Sequence, residues 1–200
     1  MIRDVDGGEA VARLRLFVAL PVPATGAAAI HEALAPHRRA HPDARWLAPA
    51  LYHVTLRFLG QVDGALAPHL EDIVARCAEG QRPFQVVVGR GGGARGRSAA
   101  AWLSVLDGRE AIEALADQLD ALLPHAIRDG LRPGRPAPHL TIARRAPAGL
   151  ADSLADESLG RVRVAWSADQ VTLFRSHTGT PAGSSYEPLV EAAFGGSRAA

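Results

Sequence analysis

The sequence predicts a mixed α/β fold built from a duplicated run of strands and helices. Two observations carry that expectation. Segments with a two-residue apolar period alternate with segments of helical period, and the series occurs twice, with corresponding elements 84 to 86 residues apart. A chain of 200 residues holds one domain, here two small lobes over about 13–194, since single domains run to roughly 100–200 residues.

In the first unit, about 13–89, RLRLFVAL at 13–20 sets Leu14, Leu16, Val18 and Leu20 on one face of a strand. ATGAAAIHEALAPH at 24–37 has helix-forming composition, and LYHVTLRFLG at 51–60 reads as a second strand. Residues 64–79 carry Leu66, Leu70, Ile73, Val74 and Cys77 at helical spacing, and PFQVVVG at 83–89 is strand-like. In the second unit, about 99–176, AAAWLSVL at 99–106 is a strand, REAIEALADQLDALL at 109–123 a helix and APHLTIAR at 137–144 a strand. AGLADSLADE at 148–157 follows as a short helix, and RVRVAW and QVTLFRS supply further strands. Residues 1–12 and 195–200 are rich in glycine and charge without any period and are expected to be tails.

Composition narrows the function classes. Apolar residues at 48% and charged residues at 22% exclude a disordered chain or a fibre. The 22 basic and 21 acidic side chains nearly cancel, so a phosphate or nucleic-acid partner must be met by a local patch. All the basic residues are Arg, and the absence of Lys removes the P-loop, Schiff-base and adenylylated-lysine chemistries. The single Cys77 has no disulfide partner within the chain. No apolar run reaches the roughly 18–20 residues that span a bilayer, and no signal-peptide layout is present. The expectation is a cytoplasmic protein, monomeric, with no membrane contact.

Each unit carries one pattern in its second strand: His53-Val54-Thr55-Leu56 and His139-Leu140-Thr141-Ile142. Alternation puts His and Thr on one face and the two apolar residues on the other. If the units pack as related lobes, two imidazoles and two hydroxyls converge on one cleft. An imidazole titrates near neutrality, so one His accepts a proton from an attacking oxygen while the other donates to the departing one. Threonine hydroxyls donate to non-bridging phosphoryl oxygens without help from a metal or a lysine. The pattern points to phosphoester chemistry with no cofactor and no metal.

The opening RLFVALPVP, the segments RWLAPALYHVTLRFLG, AAAWLSV and PHLTIAR, and the closing strand pair ending in Ser185-Tyr186-Glu187 resemble the 2H phosphoesterase superfamily. Within it they are most similar to the RNA 2′,3′-cyclic phosphodiesterases, historically called 2′-5′ RNA ligases. The resemblance implies a bilobal, pseudo-two-fold α/β fold with antiparallel sheets and the two His motifs facing across a central cleft. It implies His53 and His139 as the catalytic pair, Thr55 and Thr141 as phosphate ligands, and RNA with 2′,3′-cyclic phosphate ends, or cyclic nucleotides, as partners. The expected reaction is hydrolysis to a 2′-phosphomonoester, with reversible 2′-5′ ligation a further possibility of the family. His53 is assigned as base and His139 as acid, although the sequence does not fix the order. Arg144, Arg57 and Phe17 are expected near the substrate. Arg144 lies an odd number of positions after His139, so only a bulge or the strand end would turn it inward.

Two other readings stay open: a module of this fold that binds RNA ends without turnover, and a phosphodiesterase acting on another cyclic or 2′-5′ linked nucleotide. GRGGGARGRS at 89–98, with Arg90, Arg95 and Arg97, is read as a loop, either a basic one grasping RNA backbone or a solvated hairpin. His37 and His41 are spaced i, i+4, but Pro36 and Pro42 bracket them and no ligand partner is at metal spacing, so with His31 they are read as a solvated helix end. His69 and His125 are expected at the surface, and His177 in a Gly/Thr/Pro turn. Trp46, Trp102 and Trp166 are expected in the core.

Overall fold

The computed structural model describes residues 12–94, 99–131, 134, 136–180 and 183–195. The remaining parts of the expected tails, and Arg95 and Arg97, lie outside the described residues. Strand β1 (Arg13–Pro21) leads into helices α1 (Ala24–Ala33) and α2 (Ala35–Ala40), then strands β2 (Arg45–Trp46) and β3 (His53–Asp63). Helix α3 (Ala67–Ala78) precedes β4 (Phe84–Ala94), β5 (Ala100–Asp107), α4 (Arg109–Leu122), the one-turn α5 (His125–Arg128) and β6 (His139–Arg144). The remaining elements are α6 (Ala148–Asp156), β7 (Arg163–Ala168), β8 (Gln170–Thr180) and β9 (Gly183–Ala193).

The helix expected over 24–37 is in fact two. Pro36 has no N–H to give the Glu32 carbonyl and its ring crowds that turn, so α1 closes at Leu34 and α2 restarts with the proline in its first turn.

The strands pair antiparallel in the order β7-β4-β5-β6-β3-β1-β8-β9, with β2 added beside β6. This path divides into two four-stranded halves, β7-β4-β5-β6 and β3-β1-β8-β9. Among the described residues, a single ladder pair, Val54 with Leu140, joins them. The half β3-β1-β8-β9 joins strands from both ends of the chain, with β8 paired to β1, whereas β7-β4-β5-β6 is continuous in sequence, with β4 paired to both β5 and β7. The same sequence of roles runs outward from the junction on either side, with a motif strand innermost. Helices α3 and α4 pack on each other and on β8, β9 and β3, α6 covers β4 and β5, and α1 rests against β7. Val54, Leu56, Leu140 and Ile142 are buried in the core beneath them. Among the described residues no helix is long and apolar enough to cross a membrane.

The glycine-rich segment is not a loop up to residue 94: it is the second half of β4, laddered to β5 through Gly91, Gly92, Gly93 and Ala94. The physical reason is close approach. A Cβ on Gly91 would sit 2.7 Å from the Cβ of Leu154, and one on Gly93 would sit 2.6 Å from the Cβ of Ala151. Glycine lets α6 lie directly on the strand. Arg90 is the unpaired residue of a bulge, at positive φ, and its Nε donates to the Ala155 carbonyl at 3.2 Å. Its guanidinium thus ties β4 to the end of α6.

Replacing Gly93 by Ala should force α6 off the sheet and lower stability by about 1–3 kcal/mol, read as a lower urea midpoint. An unchanged midpoint would contradict the close-approach account.

Candidate active site at the junction of the two halves

The two His-x-Thr motifs lie where the halves meet. Because Val54 and Leu140 pair antiparallel, the register carries His53 opposite Thr141 and Thr55 opposite His139. All four side chains are half-buried, on the face away from the buried apolar residues that alternate with them. The structure brings together the four residues named from the sequence.

Both imidazoles are held in the same way. His53 Nδ1 donates to the Leu51 carbonyl at 2.7 Å, and His139 Nδ1 donates to the Ala137 carbonyl at 2.9 Å. A carbonyl oxygen only accepts, so each contact keeps the proton on Nδ1 and leaves Nε2 as the nitrogen available to a ligand. In each motif the tether reaches back two residues.

Around them the two rings differ. His53 sits 5.1 Å from the Phe17 ring and 5.2 Å from Tyr186, which meets it edge-on, with Phe174 stacked behind Phe17 at 5.2 Å. Burial in this aromatic nest pushes the His53 pKa down to about 4; the bond to Leu51 opposes that shift, and the nearby positive charges of Arg144 and His139 add to it. His53 is therefore uncharged at neutral pH. His139 lies 5.5 Å from Trp102 and opens onto a cavity of about 920 Å³ whose walls include Thr55, Arg57, Phe58, Arg15 and Glu113.

Phe17 is buried directly against His53. Arg144 satisfies both conditions for turning inward. Between Thr141 and Ala143 the ladder to β5 skips Ile142, and Arg144 is the last residue of β6. Ile142 and Ala143 are consequently both buried, and Arg144 Nη2 donates to Tyr186 Oη at 3.2 Å, across the junction. Arg57 is a different case. It grips the Asp120 carboxylate on α4 through Nε and Nη2, while Nη1 reaches the Gly134 carbonyl at 3.3 Å. That guanidinium braces the cavity wall.

Sequence reasoning missed three neighbours: Tyr186, Trp102 and Phe58. Trp102 was expected in the core, yet it is half-buried and leans on His139. The pairing of Trp102 with Thr141 sets this, and no periodicity within β5 reveals it. Two other expectations are corrected. His37 is no solvated helix end: it is fully buried where α2 meets α6, with Nδ1 3.4 Å from Ser153 Oγ, and burial lowers its pKa. His177 lies within β8, not in a turn, with Nε2 2.8 Å from the Glu187 carboxylate. Among the described residues no group of three or more His, Cys, Asp and Glu side chains is arranged to hold a metal ion.

Residues 21–180 match the family model of the 2'-5' RNA ligase superfamily. The chain is 30% identical over 163 residues to an RNA 2',3'-cyclic phosphodiesterase of Methanothermobacter thermautotrophicus, covering 76% of this chain and 83% of that protein. Among solved structures it is similar to TT0787 of Thermus thermophilus, with TM-score 0.71, 25% identity and coverage of 92% of this chain and 99% of the other. It is also similar to E. coli LigT complexed with 3'-AMP, with TM-score 0.69, 25% identity and coverage of 92% and 99%.

The imidazole of His53 should stay uncharged far below the ordinary value of 6.5 and titrate near pH 4, read from its NMR shifts. Charging it costs more in the folded than in the unfolded chain, so its contribution to stability is complete above about pH 6.5 and is lost as the pH falls toward 4. Arg144→Ala removes a positive neighbour and should move the midpoint upward. A wild-type midpoint at 6.5 would contradict the account.

Proposed function

The chain belongs to the 2'-5' RNA ligase superfamily, and we propose that it hydrolyses the 2′,3′-cyclic phosphate at an RNA end to a 2′-phosphomonoester. The observation that carries this reading is the pair of identically tethered imidazoles, each with Nε2 free, flanked by two threonines at one junction. A relative named RNA 2',3'-cyclic phosphodiesterase supports the substrate class.

The cyclic phosphate lies between the two imidazoles, with its non-bridging oxygens accepting from the Thr55 and Thr141 hydroxyls. Uncharged His53 takes a proton at Nε2 from a water as that water's oxygen bonds to phosphorus. The bond from phosphorus to O3′ breaks, and His139 delivers a proton from Nε2 to O3′, leaving a free 3′-hydroxyl and a 2′-phosphate. The electron pair of the breaking bond ends on O3′, and a proton exchange with solvent resets the two rings. Burial of His53 suits it to the base role, because a ring that charges only at low pH presents its lone pair at neutral pH. Arg144, beside Tyr186, adds positive charge where the phosphate bears negative charge.

An RNA ending in a 2′,3′-cyclic phosphate should be opened to the 2′-phosphate in the presence of EDTA. His53→Ala and His139→Ala should each lose about 10²- to 10⁴-fold in kcat, as expected for removal of a proton-transfer group. Retained RNA-end binding with no turnover by the wild type would make the chain a recognition module instead.

A further inference from the structure

Two exposed guanidiniums near the junction have neutral partners. Arg144 Nη2 donates to Tyr186 Oη, and Arg15 Nη1 donates to Ser176 Oγ, each at 3.2 Å. Ser176 is buried, and it is the residue paired with Tyr186 across β8 and β9. Residues directly opposite in a ladder share a face, so both cations are anchored at one step of the sheet. A hydroxyl fixes a guanidinium in place without cancelling its charge. Among the described residues neither Arg15 nor Arg144 is paired with a carboxylate, whereas Arg57 is bound by Asp120.

Arg15 belongs to β1, which pairs with β8 without a register shift from Leu16 to Ala19. Alternation therefore puts Arg15 on the face that carries Phe17, and Phe17 lies against His53. Ala19, the partner of Thr55, is four residues from Arg15, about 13 Å along the strand, which is a length that about one to two nucleotides of RNA span. Arg15 also forms part of the wall of the cavity that reaches Thr55 and His139, and its volume of about 920 Å³ is far more than one phosphate fills. Arg144 meets the reacting phosphate in the hydrolytic reading, which leaves Arg15 as a second anchored cation with no anion of its own.

Building on that reading, we propose that Arg15 binds an internucleotide phosphate of the strand leading to the cyclic end, so that the site takes an oligonucleotide end in preference to a free cyclic nucleotide. The planar guanidinium gives two parallel donors to the phosphodiester oxygens. Arg15 has no part in proton transfer.

On a trinucleotide ending in a 2′,3′-cyclic phosphate, Arg15→Gln should raise KM by about 10-fold, the usual effect of losing one hydrogen bond to a charged group, with kcat kept. Arg15→Lys, which keeps the charge and loses the fork, should recover part of the loss. On a 2′,3′-cyclic mononucleotide with a free 5′-hydroxyl, wild type and Arg15→Gln should perform alike. A neutral methylphosphonate at one internucleotide position should reproduce the loss in the wild type and cost nothing further in Arg15→Gln. The slope of log KM against log salt on the trinucleotide should fall by about 0.7, the share of one phosphate contact on a single strand. The thermal midpoint should barely move, because the side chain is exposed. An unchanged KM on the trinucleotide, or an equal loss on the mononucleotide, would overturn the proposal. If the wild type opens neither substrate, the hydrolytic reading fails, and Arg15 is then tested by equilibrium binding of a trinucleotide ending in a 2′-phosphate. Its Kd should rise by the same factor in Arg15→Gln, and an unchanged Kd would overturn the role in holding the strand.

Discussion

The site depends on one backbone contact, the antiparallel pairing of Val54 with Leu140. Both residues are fully buried, so the sheet halves cannot slide without dragging apolar side chains into water. Because strand side chains alternate, fixing that pair also fixes the residues on either side of it, and those are the two histidines and the two threonines. A shift of one residue in either strand would turn its His and Thr into the core. The register that holds the fold together therefore also sets the spacing of the two imidazoles proposed as the acid–base pair.

Around this junction the two halves repeat some devices and differ in others. Each imidazole is tethered by a carbonyl two residues earlier, and each motif strand bulges one residue past its threonine. The surroundings break the symmetry. Phe17, Phe174 and Tyr186 enclose His53 and keep it uncharged, whereas His139 has Trp102 beside it and opens onto the cavity. Two like groups held in unlike surroundings are what a reaction needing one base and one acid requires. Arg144 adds a link, since its bond to Tyr186 spans the junction and its charge reinforces the neutrality of His53.

Much of this was legible in the sequence, because local signals and long-range packing agree along most of the chain. The alternating pattern in His53-Val54-Thr55-Leu56 and its counterpart is dictated by the pleat, and the structure buries Val54, Leu56, Leu140 and Ile142 as that pattern requires. Failures fall where a neighbour overrides the local signal. Gly91 and Gly93 read as a loop, but the approach of α6 makes them the residues a strand needs there. His37 and Trp102 depend on contacts with elements distant in sequence. Register shifts were equally invisible: the strand starts at 13 and 99 lie 86 residues apart, yet the residues paired with Val54 and Leu140 are Leu20 and Leu103, 83 apart. The bulges that turn Arg144 and Phe58 toward the site belong to the pairing of strands and leave no mark in composition.

The central claim is that both rings present Nε2 to the junction because carbonyl oxygens hold their Nδ1 protons. Nitrogen-15 NMR of the imidazoles distinguishes the two neutral tautomers directly, and it should find the Nδ1-protonated form at both His53 and His139 wherever each ring is uncharged. The Nε2-protonated tautomer at either ring, or rapid exchange between the two forms, would mean that the carbonyl tethers do not set the proposed acid–base pair.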